Sequence, residues 1–360
     1  MSLEPIRQKI DSLDFQIIEL LNQRADLVHE VGETKRAQNL SIYAPEREES
    51  LLQKLVAMSK AIPNSRLDAK AIRAIYREIM SASLALEKDL AIAYLGPEAT
   101  WTHQAARSRF GASVRYVAQT NISDVFTQVA RGQADYGVVP IENSTEGAVN
   151  YTLDAFMDSE LRICAQILLK IENNLIARIP REDIRKIYSH PQVFGQCRMW
   201  LERNMHGIDL IEVSSTTRAA ELAASEPHAA ALAGRMAAEV YGLNVLEAGV
   251  QDNPNNTTRF LVISPTTCPP TGNDKTSLMF CVRDRSGALF SALEPFNRLQ
   301  ISLSKIVSRP SKRKAWEYFF FVDLDGHYAD PAVAQAIEEL EAHCSFVKIL
   351  GSYPKTELTV

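Results

Sequence analysis

The sequence predicts a multidomain chain in which an all-α module, an α/β domain and an α+β domain follow one another. Three observations predict it. Apolar residues recur at three- and four-residue spacing only in the first ninety or so positions; near Ala91 the pattern switches to short apolar runs alternating with helical segments; and after a Pro/Thr/Gly-rich stretch the order becomes βαββαβ. A length of 360 residues agrees, since domains run to roughly 100–200 residues each.

In the first module (1–90), Ile10, Leu13, Ile17, Leu20, Leu21, Leu27, Val28 and Val31 mark one long helix with a buried stripe. Gly32 weakens that helix without ending it. Loop signals at 39–45 and 62–65 divide the module into three helices of unequal length. A lone hairpin of helices this long leaves its apolar stripe uncovered, so a partner is expected. The second domain (91–266) is built from the runs AIAYLG, VRYVA, DYGVVPIE, RKIYSHP, DLIEVSS, AAALAG and TTRFLVIS, a rhythm that predicts largely parallel sheets. SPTTCPPTGNDK reads as a linker. The third domain (275–360) has the ferredoxin-like βαββαβ order.

Composition narrows the function classes. With 46% hydrophobic and 23% charged residues the chain is an ordinary globular protein, and its net charge of −5 gives no basic field for nucleic acid. Anion binding must come from local Arg and Lys clusters. Five scattered cysteines without metal-ligand spacing read as reduced thiols of a cytoplasmic protein. No apolar run is long enough to span a membrane, and the N-terminal segment is charged and amphipathic. No metal and no cofactor is expected.

The helical module carries a first candidate site. Arg24 and Lys35 are eleven residues apart, which is three helical turns and about 16 Å on nearly one face, so the two can clamp a small dianion. Arg7 precedes Arg24 by seventeen residues, about 25 Å along the axis. It can join the same site only from an antiparallel partner helix, which predicts a homodimer. The set Arg7, Arg24, Lys35, Arg47, Glu48, Ser83 and Glu87 resembles the all-helical chorismate mutase family over the whole module. The resemblance implies arginines on the two carboxylates of chorismate, Lys35 and Glu87 beside the breaking ether bond, and Glu48 on the ring hydroxyl. A pericyclic rearrangement to prephenate needs only a held conformer and donors toward the ether oxygen. Ala44 stands where some members carry Asp, and Glu87 where many carry Gln. An ionised Glu87 has no proton to donate, so the working form is expected to be protonated.

Four segments of the α/β domain carry a second: GPEATWTHQAA (96–106), VPIENSTEGAV (139–149), SHPQVFGQC (189–197) and NNTTRFLVIS (255–264). Each begins or follows a predicted strand, where open α/β sheets bind ligands. Together they resemble prephenate dehydratase, which implies a two-lobed fold similar to periplasmic binding proteins with the site in the cleft. The reaction expels carbon dioxide and hydroxide from prephenate and yields aromatic phenylpyruvate. A guanidinium matches a carboxylate with two donors, which makes Arg259 the expected carboxylate anchor; Cys197 reads as a substrate contact or, the stronger reading, a small buried residue packing the cleft; and on the resemblance Thr258 assists the departing hydroxyl with Asn143, Ser144 and Gln196. Glu142 is the alternative proton source, and the sequence does not choose between it and Thr258. His103 and His190 read as structural, and Ala99 stands where glycine is usual.

The last domain resembles an ACT domain, on GALF (287–290) and SRP (308–310). The resemblance implies an L-phenylalanine effector site in a domain pair, with Gly287, Ala288, Leu289, Ser308, Arg309 and Pro310 as its residues. Val307 replaces a frequent Glu. Two other classes compete. A non-enzymatic sensor of amino acids or small anions has no use for the mutase-like cations, and a nucleic-acid regulator lacks a basic face.

Overall fold

The computed structural model describes residues 3–38, 43–283, 285–311 and 316–356, so residues 39–42 of the first expected loop and the last four residues of the third domain lie outside the described residues. The chain divides into two compact units: residues 1–90 with 110–115, and 91–109 with 116–360.

The first unit is helical. α1 (Glu4–Ala37) runs straight through Gly32, and α2 (Pro45–Ala61) and α3 (Ala69–Glu87) follow. Asp68 starts α3 by accepting a hydrogen bond from the Ala71 amide, an N-cap. Gly32 is buried because α3 comes close there: a Cβ at that position would lie 3.0 Å from Glu87 Cγ. The expected stripe on α1 exists but is not covered within the unit, with Ile10, Leu13, Ile17, Leu20 and Leu27 all at least half exposed.

The second unit begins with β1 (Ala91–Leu95), α4 (Trp101–Phe110), β2 (Arg115–Gln119), α5 (Ile122–Ala130), β3 (Tyr136–Asn143), β4 (Gly147–Ala148), α6 (Asn150–Asp158) and β5 (Arg162–Lys170). The chain then enters a second sheet through β6 (Asn174–Ala177), β7 (Lys186–Ser189), α7 (Pro191–Gln196), α8 (Arg198–Asn204), β8 (Asp209–Glu212), α9 (Thr216–Ser225), β9 (Ala229–Ala233), α10 (Arg235–Tyr241) and β10 (Asn244–Glu247). It returns by β11 (Thr257–Ser264), which inserts into the first sheet to give the order β2-β1-β3-β11-β5. The second sheet has the order β10-β6-β9-β7-β8.

The expectation of largely parallel sheets is corrected here. β1 pairs parallel with β3, and β7 with β8 and β9, but β11 is antiparallel to both β3 and β5, and β6 is antiparallel to both β9 and β10. The physical reason is the double crossing, because a chain that leaves a sheet and returns by the nearest route enters it in the opposite sense. Apolar runs look alike in either sense, since both faces are covered. In β9, Ala229, Ala231 and Ala233 pack on one side against α9 and α10, while Ala230 and Leu232 pack on the other against α7 and α8.

The last part has the expected order: β12 (Asp274–Val282), α11 (Ala288–Arg298), β13 (Leu303–Pro310), β14 (Tyr318–Asp325), α12 (Pro331–His343) and β15 (Cys344–Pro354), in the antiparallel sheet β13-β14-β12-β15. Strand alternation gives that sheet two apolar faces. Leu278, Phe280, Val322 and Leu324 face α11 and α12. Met279, Cys281, Phe319, Phe321 and Tyr353 join the core of the first α/β sheet, with Phe156 and Ile163. The linker therefore separates two sheets that share one core. Gly351 marks their closest approach, since with φ of +151° its position has no room for a Cβ against the Ile163 backbone.

Candidate active sites

In the helical unit, α1 and α3 bring four of the expected residues together. Arg24 Nη1 donates to Ser83 Oγ at 2.6 Å, and Lys35 Nζ lies 3.4 Å from Glu87 Oε2. Ser83 and Glu87 are four residues apart, about one turn, and share the face of α3 that meets Arg24 and Lys35 of α1. Both are buried, so the cations meet their partners with little water to screen them. Glu48 is buried on α2 and held by Arg77, a partner not foreseen from the sequence. Arg7 and Arg47 are exposed on α1 and α2 and do not join this group within the unit.

In the second unit the site forms where the two lobes are joined. The connections 171–173 and 248–256 run side by side, with the Ile171 amide donating to the Asn256 carbonyl at 2.8 Å. Thr258 lies opposite Asn143 in the β11–β3 register, and Asn143 Nδ2 donates to Thr258 Oγ1 at 2.8 Å and to Asn256 Oδ1 at 2.7 Å. Asn256 Nδ2 and Asn173 Nδ2 each reach Gln196 Oε1 at 3.3 Å, and Gln196 Nε2 reaches Glu146 at 3.3 Å. A polar chain thus runs from Thr258 on the first lobe to Gln196 at the end of α7 on the second. Ser144 is exposed and braces the connection, its Oγ accepting from the Thr257 amide at 3.0 Å. Asn173, Asn256 and Glu146 were not foreseen; Asn256 and Glu146 lie inside the quoted segments, but nothing in their spacing separates them from ordinary turn residues.

Three expected residues point elsewhere. Arg259 follows Thr258 on β11 and so faces the other side of the sheet, where its guanidinium meets Glu142 at 2.9 Å, Asp323 at 2.5 Å and the Tyr353 hydroxyl at 2.6 Å. The expected carboxylate anchor is thus buried against the last sheet and does not join the group around Thr258 and Asn143. Glu142 shares that side and also lies 2.7 Å from Lys305. Burial alone would raise its carboxyl, but Lys305 and Arg259 together hold it below the ordinary range, so at neutral pH it carries no proton to deliver. Cys197, next to Gln196, is fully buried in the core of the second lobe, and burial, reinforced by Asp252, pushes its thiol up to about 12. Its side chain packs into that core beside Val193 and Leu201.

Both histidines are structural. His103 Nδ1 accepts from the Ala99 amide at 3.1 Å and stacks on Tyr94, and burial lowers its pKa. His190 caps α7. Ala99 adopts a φ of +61°, a left-handed conformation strained for alanine.

In the last domain Gly287, with φ of +74°, turns the chain into α11, where Ala288 is buried. Along β13, Lys305, Val307 and Arg309 are partly buried while Ile306, Ser308 and Pro310 are exposed. Arg309 makes a two-pronged contact with Asp154 of α6 at 2.7 Å to each oxygen. Strand alternation sends Arg309 toward the α/β domain, opposite Ser308 and Pro310.

Residues 6–88 match the chorismate mutase type II family, 92–267 the prephenate dehydratase family and 276–342 the ACT domain. A bifunctional chorismate mutase/prephenate dehydratase of Aquifex aeolicus is 47% identical over 357 residues, 99% of each chain. The chain belongs to the bifunctional chorismate mutase/prephenate dehydratase family. It is an enzyme of two activities, with the mutase module in the helical unit and the dehydratase module following. Among solved structures, the prephenate dehydratase of Arthrobacter aurescens in complex with L-Phe has a TM-score of 0.69 at 34% identity, over 75% of this chain and 92% of that one. A quorum-quenching acylase, GqqA, has a TM-score of 0.69 at 27% identity, over 74% of this chain and 98% of that one. A shared fold thus hosts differently described chemistries. The sensor reading is not favoured, because the full-length resemblance is to an enzyme.

Proposed function

We propose that the polar chain from Thr258 to Gln196 is where prephenate loses carbon dioxide and hydroxide. The observation that carries this is the direction of one hydrogen bond: Asn143 Nδ2 is a donor, so Thr258 Oγ1 accepts, and the threonine's own proton is free to point at a leaving hydroxyl. With Glu142 ionised on the far side of the sheet, Thr258 is the proton or hydrogen-bond donor, and Glu146 joins the same polar chain through Gln196. Asn143, Ser144, Asn256 and Gln196 orient the ring and its carboxylates. The parallel connections support a cleft that closes like that of two-lobed binding proteins.

For the mutase step, Arg24 and Arg47, with Arg7 of a second copy, hold the carboxylates of chorismate. Lys35 and Glu87 flank the breaking ether bond, Ser83 orients Arg24, and Glu48, steadied by Arg77, accepts the ring hydroxyl. The exposed apolar stripe of α1 supports a homodimer. Domain limits of 1–90, 91–266 and 275–360 are supported by the family matches over 6–88, 92–267 and 276–342. A cytoplasmic location is supported by five cysteines that are all free thiols, and no helix among the described residues is long and apolar enough to cross a membrane. L-phenylalanine is the proposed effector, through Gly287 to Leu289 with Ser308 and Pro310, because the Arthrobacter relative was solved with it.

Incubating the protein with chorismate alone tests the whole reading: prephenate and then phenylpyruvate absorbance should appear, and L-phenylalanine should slow the second. No conversion at all would return the binding-protein reading.

A further inference from the structure

On the side of β11 away from Thr258, the two sheets that share a core part to leave a polar cavity of about 380 Å³. Four cations line it, Arg259, Lys275, Lys305 and Lys355, against two carboxylates, Glu142 and Asp325. The pairing is uneven. Lys355 takes Asp325 at 2.9 Å, Arg259 shares Glu142 and Asp323, and Lys305 lies 2.7 Å from Glu142 with its donors out of hydrogen-bond alignment. Lys275, on β12, has no carboxylate within ion-pair distance among the described residues. Burial and then the neighbouring Arg259 lower its pKa, outweighing the more distant Asp323, Asp325 and Glu142, which raise it.

Two further groups in the wall are unsatisfied. Gln166 is 4% exposed and, among the described residues, its Oε1 has no hydrogen-bond partner, nor does Arg259 Nε. A buried polar atom without a partner costs about 1–3 kcal/mol. An oxyanion would accept from Arg259 Nε and Lys275 Nζ, and a hydroxyl on it, or an accompanying water, would donate to Gln166.

We propose that this cavity is a binding site for a small doubly charged oxyanion, a phosphate group or a dicarboxylate, separate from both reaction sites and from the expected phenylalanine site. Its place gives it a consequence. Arg259 and Glu142 are chain neighbours of Thr258 and Asn143, so an occupant that draws on Arg259 bears on the strands that hold the dehydratase hydroxyl.

The test is thermal unfolding of the full chain at constant ionic strength, with chloride replaced by inorganic phosphate in one arm and by malonate in the other. A saturable rise in Tm is expected in at least one arm, and the arm that shows it identifies the chemistry. Lys275→Gln should weaken the apparent affinity at least tenfold, as should Lys355→Gln at the more exposed rim. Thr258→Ala should leave it unchanged. A rise that survives both lysine variants, one lost in Thr258→Ala, or no saturable rise with either anion overturns the proposal. None of these outcomes bears on the two-reaction reading, which is read by chorismate turnover.

Discussion

Thr258 and Arg259 are consecutive in the chain and serve opposite sides of one sheet. The first accepts a hydrogen bond from Asn143 at the junction of the lobes; the second is buried among Glu142, Asp323 and Tyr353 against the last sheet. The same split recurs between Asn143 and Glu142, between Gln196 and Cys197, and between Ser308 and Arg309. In strands it follows from the two-residue period, and at the end of α7 from the turn of about 100° per helical residue. A motif is contiguous in sequence, but a site collects one side of an element. Half of each motif therefore serves packing or a neighbouring domain.

The largest effect that sharpens this comparison is on Thr258. Thr258→Ala should lower dehydratase kcat by roughly 10²–10⁴, the usual span for a positioned proton donor, and leave the mutase rate unaltered. Equal loss of both activities would mean that the two reactions do not have separate sites.

The opposite side predicts a change in stability. Asp323→Asn removes the buried partner of Arg259 and should cost about 3 kcal/mol, toward the low end for a broken buried pair because Glu142 remains. If Arg259 anchored substrate instead, substitutions of its partners would raise the KM for prephenate with little effect on the urea midpoint. The pH dependence has a definite sign. Burial opposes ionisation of Asp323 and Glu142, but Arg259 and Lys305 outweigh it and hold both below their ordinary values. Their contribution is complete above about pH 4–5 and is lost as pH falls through the lowered folded values. The urea midpoint should drop below pH 4, and less steeply in Asp323→Asn.

Much of the architecture is legible in the sequence. The stripe from Ile10 to Val31 shows α1 and its uncovered face, Arg24 and Lys35 fall on one face of α1 and meet Ser83 and Glu87, and the βαββαβ order is observed. Strand sense is not legible, since a run such as TTRFLVIS is apolar whichever way it enters a sheet. Nor is the partner of a buried charge: nothing near Arg259 or Arg309 in sequence announces Asp323, 64 residues on, or Asp154, 155 residues back. Asn173 escaped because a lone asparagine between strands is ordinary turn chemistry. Such pairings are made by tertiary packing, and local pattern carries no trace of them.

The smallest effect separates the members of the pair on α7. Gln196 accepts from Asn173 and Asn256 and donates toward Glu146, so Gln196→Ala should slow the dehydratase. Cys197 is wholly enclosed with Val193, Leu201 and Leu232, and its thiol, pushed up to about 12, stays neutral over the working range. Cys197→Ala should therefore leave kcat and KM for prephenate within about twofold and cost about 1 kcal/mol of stability, typical of a single core change. It should also leave the rate of modification by a thiol reagent in the folded state unchanged, because this sulfur is already shielded. A rise in KM without loss of stability would place Cys197 in the cleft with Gln196, and adjacent residues would then share a site after all.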